Sequence, residues 1–276
     1  MSPLYQRTVR EPATISGRGL HTGEECELTL LPAEPDTGIV FRTKAGEVPA
    51  RLAYVSDTNR GTTLSNGQAQ VHTVEHLLAA IGGLQVDNLH IEITGPEVPA
   101  GDGSALPFVK LIDSAGIREQ KIEAKVIRLD KPLQLGSAEK GVWASSADEL
   151  KIRALISYEH RLIGKQKLEL DMSPSVFERE IAPARTFCTG DEIQFILSQG
   201  LGKGGTEDNV VVVYADHYSV PLRFRDEFVR HKILDLMGDL ALIGARLQAD
   251  ITAVKPSHAL NIAIGNEIVR QGWQGG

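Results

Sequence analysis

Residues 227–240 carry three side chains that can bind a metal ion or transfer protons. His231, Asp235 and Asp239 stand at positions i, i+4 and i+8, so a helix would place them on one face. An imidazole and a carboxylate one turn apart can bind a divalent metal, but a catalytic zinc site needs a third protein ligand. The alternative is a polar face that is simply solvated. The apolar residues of the segment fall on the opposite face: Val229, Ile233, Leu236, Met237, Leu240 and Ile243.

A second predicted helix offers histidines that could complete such a site. Its apolar stripe has helical spacing and ends at two glycines, which indicate a stop: Val74, Leu77, Leu78, Ile81, Gly82 and Gly83. His72 and His76 form an i, i+4 pair on the other side, and spacing alone does not decide which of them binds metal. Both could instead face solvent. Glu75 is a candidate general base beside a metal-activated water, with an exposed helix glutamate as the alternative.

Other polar motifs have simpler structural explanations. Residues 19–23, GLHTG, are typical of a hairpin turn, and residues 102–104, DGS, of a turn that caps the next helix. Residues 200–206, GLGKGGT, lack the order of a phosphate-binding P-loop, which argues against a nucleotide role. His258 follows a predicted strand, in a loop that could present it for catalysis or leave it exposed.

The elements around these residues form two halves of similar design. Each half has strands around a helix, and the two helix-then-strand stretches suggest a weak internal repeat. The charged run 117–125 is the predicted interdomain connection, with the boundary near Gln120. The predicted strands are residues 25–30, 38–42, 88–93, 125–129, 150–158, 209–215 and 249–254, and a short helix is predicted at residues 107–115.

Composition excludes several classes of protein. The chain has 276 residues, 42% of them hydrophobic, which is enough for about two domains with real cores. Its formal net charge of −7 argues against a nucleic-acid surface. No apolar run is long enough for a membrane span and no leader pattern is present, so a cytoplasmic protein is expected. The two cysteines, Cys26 and Cys188, have no metal or redox spacing.

The motifs taken in order resemble one family, the zinc-dependent UDP-3-O-acyl-N-acetylglucosamine deacetylases of lipid A biosynthesis. The resemblance runs almost end to end. The motifs that carry it are GLHTG at 19–23, TVEHLLAA at 73–80, DNLHIEI at 87–93, DGSALPFV at 102–109, ARTF at 184–187, GLGKGGTEDNVVV at 200–212, FVRHKILDLMGDL at 228–240 and HALN at 258–261.

This resemblance implies an α+β fold of two domains with similar topology, each a helical layer on a β-sheet, and an active site in the cleft between them. The domains would span residues 1–120 and 121–276. The family's ligands for one zinc ion match His76, His231 and Asp235, which leaves His72 outside the motif. The reaction implied is hydrolysis of the N-acetyl group of UDP-3-O-[(3R)-3-hydroxyacyl]-N-acetylglucosamine to the glucosamine product and acetate. A monomer is expected.

The resemblance also assigns roles to further residues. Glu75 matches the general base, and His258 the cationic acid or electrostatic stabiliser that Asp239 orients. The hydroxyl of Thr186 would help to hold the oxyanion, and Lys232 would lie near the phosphates or the carbonyl. Candidate substrate-binding residues are Phe187 against the sugar, His21, and Ile193, Gly205, Thr206 and Val212 as walls of an acyl passage in an insert at about 187–213. His21 and Asp102 match motif positions, and the resemblance leaves their roles less defined.

The sequence departs from the family pattern at Cys188, at Pro256-Ser257 and at Ala100-Gly101. None of these positions is a predicted ligand or catalytic group. Two rival functions are a different zinc amidohydrolase and a non-catalytic sugar-nucleotide binding module. The chain lacks the HExxH motif and the cysteine pair of zinc deaminases, which argues against the first. It retains Glu75, the zinc ligands and His258, which argues against the second.

Overall fold

The computed structural model describes residues 4–272 and has an α+β fold. The first half contains the following elements: β1 Tyr5–Val9, β2 Ala13–Arg18, β3 Glu25–Pro32, β4 Ile39–Thr43, β5 Gly46–Pro49, a 3-10 turn Leu52–Tyr54, β6 Val55–Asp57, β7 Thr63–Ser65, β8 Gln70–Val71, α1 Glu75–Gly83, β9 Leu89–Ile93 and α2 Leu106–Ala115. Alternation explains strands such as β3, in which Cys26, Leu28 and Leu30 point into the core and the residues between them point outward.

The second half contains the remaining strands and helices. They are β10 Ile117–Glu123, β11 Val126–Arg128, β12 Leu133–Ser137, β13 Lys140–Ser146, β14 Lys151–Ser157, β15 Lys165–Asp171, α3 Pro174–Val176 with a π-helical turn Phe177–Ile181, β16 Phe187–Thr189, a 3-10 turn Gly190–Glu192, α4 Ile193–Ser198, β17 Val211–Val213, α5 Glu227–Ala241, β18 Arg246–Val254 and α6 His258–Gly272. Each predicted strand overlaps an observed one, and the predicted helices correspond to α1, α2 and α5.

The two large sheets have the same topology. The first has the order β2-β3-β9-β4-β5 and the second β12-β13-β18-β14-β15, with β11 also paired to β18. In each sheet the central strand is antiparallel to one neighbour and parallel to the other. One helix precedes that strand and another follows it. This agreement is what the helix-then-strand repeat in the sequence predicts.

Helices α1 and α5 pack against each other, and small residues allow their close approach. A Cβ atom on Gly238 would lie 2.0 Å from the carbonyl oxygen of Glu75. A Cβ on Gly82 would lie 3.2 Å from the Cβ of Ala241. The polar face of α5 is therefore buried against α1 rather than solvated, and Asp239 is 0% exposed. This packing brings the first turn of α1 next to the polar face of α5.

Each half also has an insert between the fourth strand of its sheet and the helix that precedes the fifth. In the first half, insert I contains the three-stranded sheet β6-β7-β8. In the second half, insert II contains the parallel pair β16 and β17 joined through α4, with Phe187 opposite Val211. That pair, Phe187–Thr189 and Val211–Val213, lies in the segment 187–213 that was predicted as an acyl-passage insert.

The structure corrects several local predictions. The charged run 117–125, predicted as the interdomain connection, contains a strand: Ile117–Glu123 forms β10 and pairs with β1, so the predicted boundary near Gln120 lies inside a strand. Most residues of β10 are exposed, so this strand does not need alternating apolar residues, which is why the pattern was misleading. His258 begins α6 rather than lying in a loop. Residues 102–104 do form the turn before α2, but the residue at the N-cap position is Ala105, without a side-chain cap.

Within residues 4–272, no helix is long and apolar enough to cross a membrane.

Candidate metal centre and active site

Three buried side chains from the two helices form a metal-ligand group. His76 is the second residue of α1, while His231 and Asp235 lie one turn apart on α5. Asp235 Oδ1 lies 3.3 Å from His231 Nε2 and 3.7 Å from His76 Nε2. Donors bound tetrahedrally to one zinc ion at ordinary bond lengths would be about 3.4 Å apart. The spacing and the chemistry of the group therefore fit a single divalent ion.

Neighbouring groups fix the orientation of these ligands. The carbonyl oxygen of Ala184 lies 3.1 Å from His231 Nδ1 and can only accept, so that nitrogen carries the proton and Nε2 is free to bind metal. Lys232 donates a hydrogen bond to Asp235 Oδ2 at 2.7 Å, which leaves Oδ1 facing the histidines. The group is thus oriented for a cation by its surroundings.

Burial and neighbouring charges keep the ligands in the forms that bind metal. Burial lowers the pKa of His231 to about 3, so its ring is neutral at physiological pH. Burial alone would raise the pKa of Asp235, but His231 and Lys232 outweigh burial and hold that pKa well below its usual range. A neutral imidazole and an ionised carboxylate need no deprotonation before binding a metal.

His72 is not part of this group. Thr73 has a positive φ of 56°, and α1 begins only at Glu75, so His72 and His76 do not share a helix face. The His72 Nδ1 atom lies 3.1 Å from Thr63 Oγ1 instead. The i, i+4 spacing of the two histidines was therefore misleading. Of the two, only His76 lies in the metal-ligand group.

Glu75 lies beside the metal-ligand group and is only 2% exposed. Its Oε2 accepts a hydrogen bond from the backbone N–H of Thr62 at 2.9 Å, and its Oε1 lies 3.9 Å from His258 Nε2. Burial raises the pKa of Glu75, while the charge of His258 opposes this effect. A carboxylate with a raised pKa next to a metal site has the character of a general base.

Asp239 holds His258 in a fixed orientation. Its Oδ2 accepts hydrogen bonds from His258 Nδ1 at 2.8 Å and from Asn261 Nδ2 at 2.9 Å, and its Oδ1 accepts from Thr62 Oγ1 at 2.6 Å. Burial alone would lower the pKa of His258, but Asp239 and then Glu75 raise it to about 10. His258 is therefore an imidazolium at neutral pH.

These groups line a cavity of about 520 Å³. The predicted residues on its walls are His21, Glu75, His76, Thr186, Phe187, Ile193, Gly205, Thr206, Val212, His231, Lys232, Asp235 and His258. Of the predicted catalytic residues, Asp239 alone lies behind the wall, where it contacts His258. Asp102 is also away from the cavity and forms an ion pair with Arg223 at 2.8 Å.

An aromatic residue of insert II, Phe187, lies beside the metal-ligand group. The ring of Phe187 lies 4.6 Å from that of Phe228 and 6.3 Å from that of His231, measured between centroids. Tyr158 packs edge-on against Phe187 at 5.7 Å and is 37% exposed at the cavity. Lys232 Nζ lies 5.7 Å from the Phe187 centroid. A flat apolar surface thus adjoins a cation beside the metal site.

Sequence reasoning missed several residues of the site. Thr62 contacts both Glu75 and Asp239, yet nothing in its local sequence indicates this role. Asn261 lies in the HALN motif, where its spacing from His258 could have indicated a shared partner. Further cavity residues that the sequence did not predict are Leu20, Thr58, Arg60, Tyr158, Glu192, Ile196, Leu197 and Val210.

The GLHTG turn is held by a buried carboxylate. Glu97 is 1% exposed and accepts hydrogen bonds from the backbone N–H of His21, from the N–H and hydroxyl of Thr22, and from the hydroxyl of Thr73. A Cβ on Gly19 would lie 2.3 Å from this carboxylate, which explains the glycine. Glu97 therefore links the turn that carries His21 to Thr73, which lies just before α1.

The GLGKGGT loop packs on that turn by backbone contacts. A Cβ on Gly204 would lie 2.1 Å from the carbonyl oxygen of Gly19. The N–H of Gly204 donates to the oxygen of Leu20 at 3.0 Å. The glycines thus permit close approach of two backbones, which agrees with the prediction that this loop is not a P-loop.

Comparison with known proteins identifies the family. A family model described as UDP-3-O-acyl N-acetylglycosamine deacetylase matches residues 6–270. Proteins named UDP-3-O-acyl-N-acetylglucosamine deacetylase are similar over nearly the full chain. The one from Anaeromyxobacter sp. (strain Fw109-5) is 42% identical, with 98% of this chain and 90% of the relative covered. The one from Saccharophagus degradans is 43% identical, with 97% of this chain and 91% of the relative covered. The chain belongs to the UDP-3-O-acyl N-acetylglycosamine deacetylase family.

Proposed function

We propose that this protein hydrolyses the N-acetyl group of UDP-3-O-[(3R)-3-hydroxyacyl]-N-acetylglucosamine with one zinc ion, in lipid A biosynthesis. The observation that carries the proposal is the placement of a buried base, Glu75, between a His-His-Asp metal-ligand group and an imidazolium, His258. The names of the relatives supply the substrate. A cytoplasmic location and a monomeric state remain predictions from the sequence.

His76, His231 and Asp235 would hold the zinc ion. Two imidazoles and one carboxylate leave a fourth position open, as catalytic zinc sites require. When bound, the ion would supply Lewis-acid polarisation of the acetamide carbonyl and would acidify water.

The chain's own residues would move the protons. Glu75 takes the proton of the attacking water, a role that its raised pKa favours because the basic form is then stronger. His258, protonated and oriented by Asp239, stabilises the developing negative charge and can donate a proton to the leaving amine. Thr186 and Lys232 line the same cavity and would help to stabilise the oxyanion and the substrate phosphates.

The walls formed by insert II would bind the 3-O-acyl chain. Ile193 and Val212 line the cavity together with Ile196, Leu197 and Val210 of the same insert. Each methylene of the chain that leaves water there would contribute about 0.8 kcal/mol. Gly205 and Thr206 leave room for the chain, and Phe187 would pack against the sugar. The substrate would then lie in the cleft between the two halves of the chain.

A non-catalytic binding module is the weaker alternative. Such a module would not need a buried general base with a raised pKa, nor an Asp239–His258 pair with all carboxylate contacts satisfied. Burying charged groups costs free energy, and groups with strongly shifted pKa values cluster at functional sites. Both points favour a catalytic site.

Zinc content and acetate release test the proposal together. Zinc-reconstituted protein should bind one equivalent and release acetate from the acylated UDP-N-acetylglucosamine. His76→Gln should lower the zinc content well below one equivalent, whereas the matched variant His72→Gln should retain it. Zinc-loaded protein that releases no acetate would refute the proposed enzymatic activity. Equal zinc contents in the two variants would refute the assignment of His76 as a zinc ligand.

A further inference from the structure

Helix α4 lines the acyl side of the cavity but is scarcely buried. All six of its residues, Ile193–Ser198, are at least partly exposed, with Phe195 at 58% and Leu197 at 47%. A helix this short has little intrinsic stability, and burial adds little here. Its position over the cavity must therefore depend on contacts made at its two ends.

The C-terminal end is attached to the GLHTG turn through His21. The N–H of Gly202 donates to His21 Nδ1 at 3.3 Å, and the N–H of Lys203 donates to the His21 carbonyl oxygen at 3.2 Å. Because Nδ1 accepts, the ring proton is on Nε2, which donates to the carbonyl oxygen of Arg60 at 3.2 Å. His21 thus connects the loop after α4 to insert I.

The N-terminal end is attached to insert I through Glu192. Its Oε2 accepts hydrogen bonds from the N–H and the hydroxyl of Thr189, both at 3.0 Å, in a capping box. Its Oε1 accepts from Arg60 Nη2 at 3.0 Å. Arg60 has a left-handed φ of 58°, and its backbone is the one that His21 holds. One carboxylate oxygen of Glu192 therefore caps its own turn, and the other pairs with Arg60 of insert I.

We propose that the Arg60–Glu192 ion pair is a specificity-determining strap, which holds α4 against the acyl chain by tying insert II to insert I across the cavity. Both residues line the cavity, and Glu192 immediately precedes Ile193. They are positioning residues, because they act through α4. The inference rests on the proposed function, since α4 is assumed to contact the acyl chain.

The partial exposure of the pair sets the size of its effect. The two side chains are 33% and 40% exposed, so the pair should be salt-sensitive and of modest strength. Its loss should weaken binding only of chains long enough to reach α4. KM for a substrate with a short acyl group should not change when the strap is removed.

A double-mutant cycle with two substrates tests the strap. Arg60→Asn keeps a residue that tolerates the left-handed backbone, and Glu192→Gln keeps an acceptor for Thr189. The control is the pair Arg42→Gln and Glu47→Gln, a 2.9 Å surface ion pair on β4 and β5 outside the cavity walls. KM, kcat and Tm would be measured with the 3-hydroxymyristoyl and the 3-hydroxybutyryl substrates.

Each single variant should raise KM for the long chain by about two- to five-fold, the range expected for a partly exposed ion pair. The double variant should raise it no further, because the two residues act as one unit. KM for the short chain, kcat and the control pair should not change. Equal effects on both chains, additive effects of the two substitutions, or a fall in kcat alone would overturn the strap. Absence of acetate release from both substrates by zinc-loaded wild-type protein would instead refute the proposed function.

Discussion

Asp239 and His258 form a buried pair in which Nδ1 of the imidazole lies 2.8 Å from a carboxylate oxygen. The other contacts of that carboxylate come from Thr62 and Asn261, so its charge is fully hydrogen-bonded although it is 0% exposed. A carboxylate in this position fixes the ring orientation and stabilises the imidazolium.

The first prediction concerns the pH dependence of stability in the metal-free protein. The pKa of His258 is raised to about 10 in the fold, above about 6.5 for an unfolded histidine. The stability that its charge contributes is therefore fully present below pH 6.5 and is lost as the pH rises through 10. Chemical unfolding at a series of pH values should show that the stability difference between wild type and His258→Gln shrinks over this window.

His217→Gln is the control for that series, since His217 pairs with Asp216 at the surface, where its side chain is 63% exposed. The His217→Gln substitution should change the free energy of unfolding only slightly at every pH in the series. A difference between wild type and His258→Gln that stays constant from pH 6.5 to 10 would contradict the assigned charge.

The second prediction concerns the contact between α1 and α5. Gly238→Ala would place a Cβ 2.0 Å from the Glu75 carbonyl oxygen, which backbone atoms cannot accommodate without moving apart. We expect about 1–3 kcal/mol of destabilisation, as for other overpacked sites, together with loss of zinc affinity because the ligands lie on both helices. Thermal unfolding and zinc titration would measure the two effects.

Gly82→Ala is the matched substitution on α1. Its Cβ would lie 3.2 Å from the Cβ of Ala241, a mild crowding that the helix propensity of alanine offsets by up to about 1 kcal/mol. Equal stability of the Gly238→Ala and Gly82→Ala variants would show that close approach at Gly238 is not required.

The third prediction concerns the carboxylate beneath the GLHTG turn. Glu97→Ala would remove the acceptor for His21, Thr22 and Thr73, and each buried donor left without a partner costs roughly 1–3 kcal/mol. The protein should therefore unfold at markedly lower denaturant concentration. Glu92→Ala, at an exposed position of β9, should change the midpoint little. Similar midpoints for the two variants would contradict the role given to Glu97.

Local patterns in the sequence predicted much of the site, because helical spacing is a local property. The i, i+4 and i+8 positions of His231, Asp235 and Asp239 identified the polar face of α5 before any partner was known. The same logic failed for His72, because the left-handed backbone at Thr73 ends the helical register just before α1. Only the family resemblance selected His76.

Features that depend on distant parts of the chain were beyond local reasoning. Thr62 donates to Asp239 across a sequence separation of 177 residues, and the strap joins residues 132 apart. Strands β10, β12 and β15, whose residues are mostly exposed or half-buried, were not predicted. Strands β1 and β13 were not predicted either. Sheet pairing is decided by partners that periodicity does not reveal.

Acetate release by zinc-loaded Glu75→Gln protein tests whether Glu75 is the general base at a zinc site. Glutamine can still accept the Thr62 hydrogen bond but cannot take a proton from water, so we expect one equivalent of zinc and a loss of kcat of about 10²-fold or more. Glu139→Gln, at an exposed position, should match wild type in both measurements. A Glu75→Gln protein that binds zinc and releases acetate at the wild-type rate would exclude Glu75 as the general base.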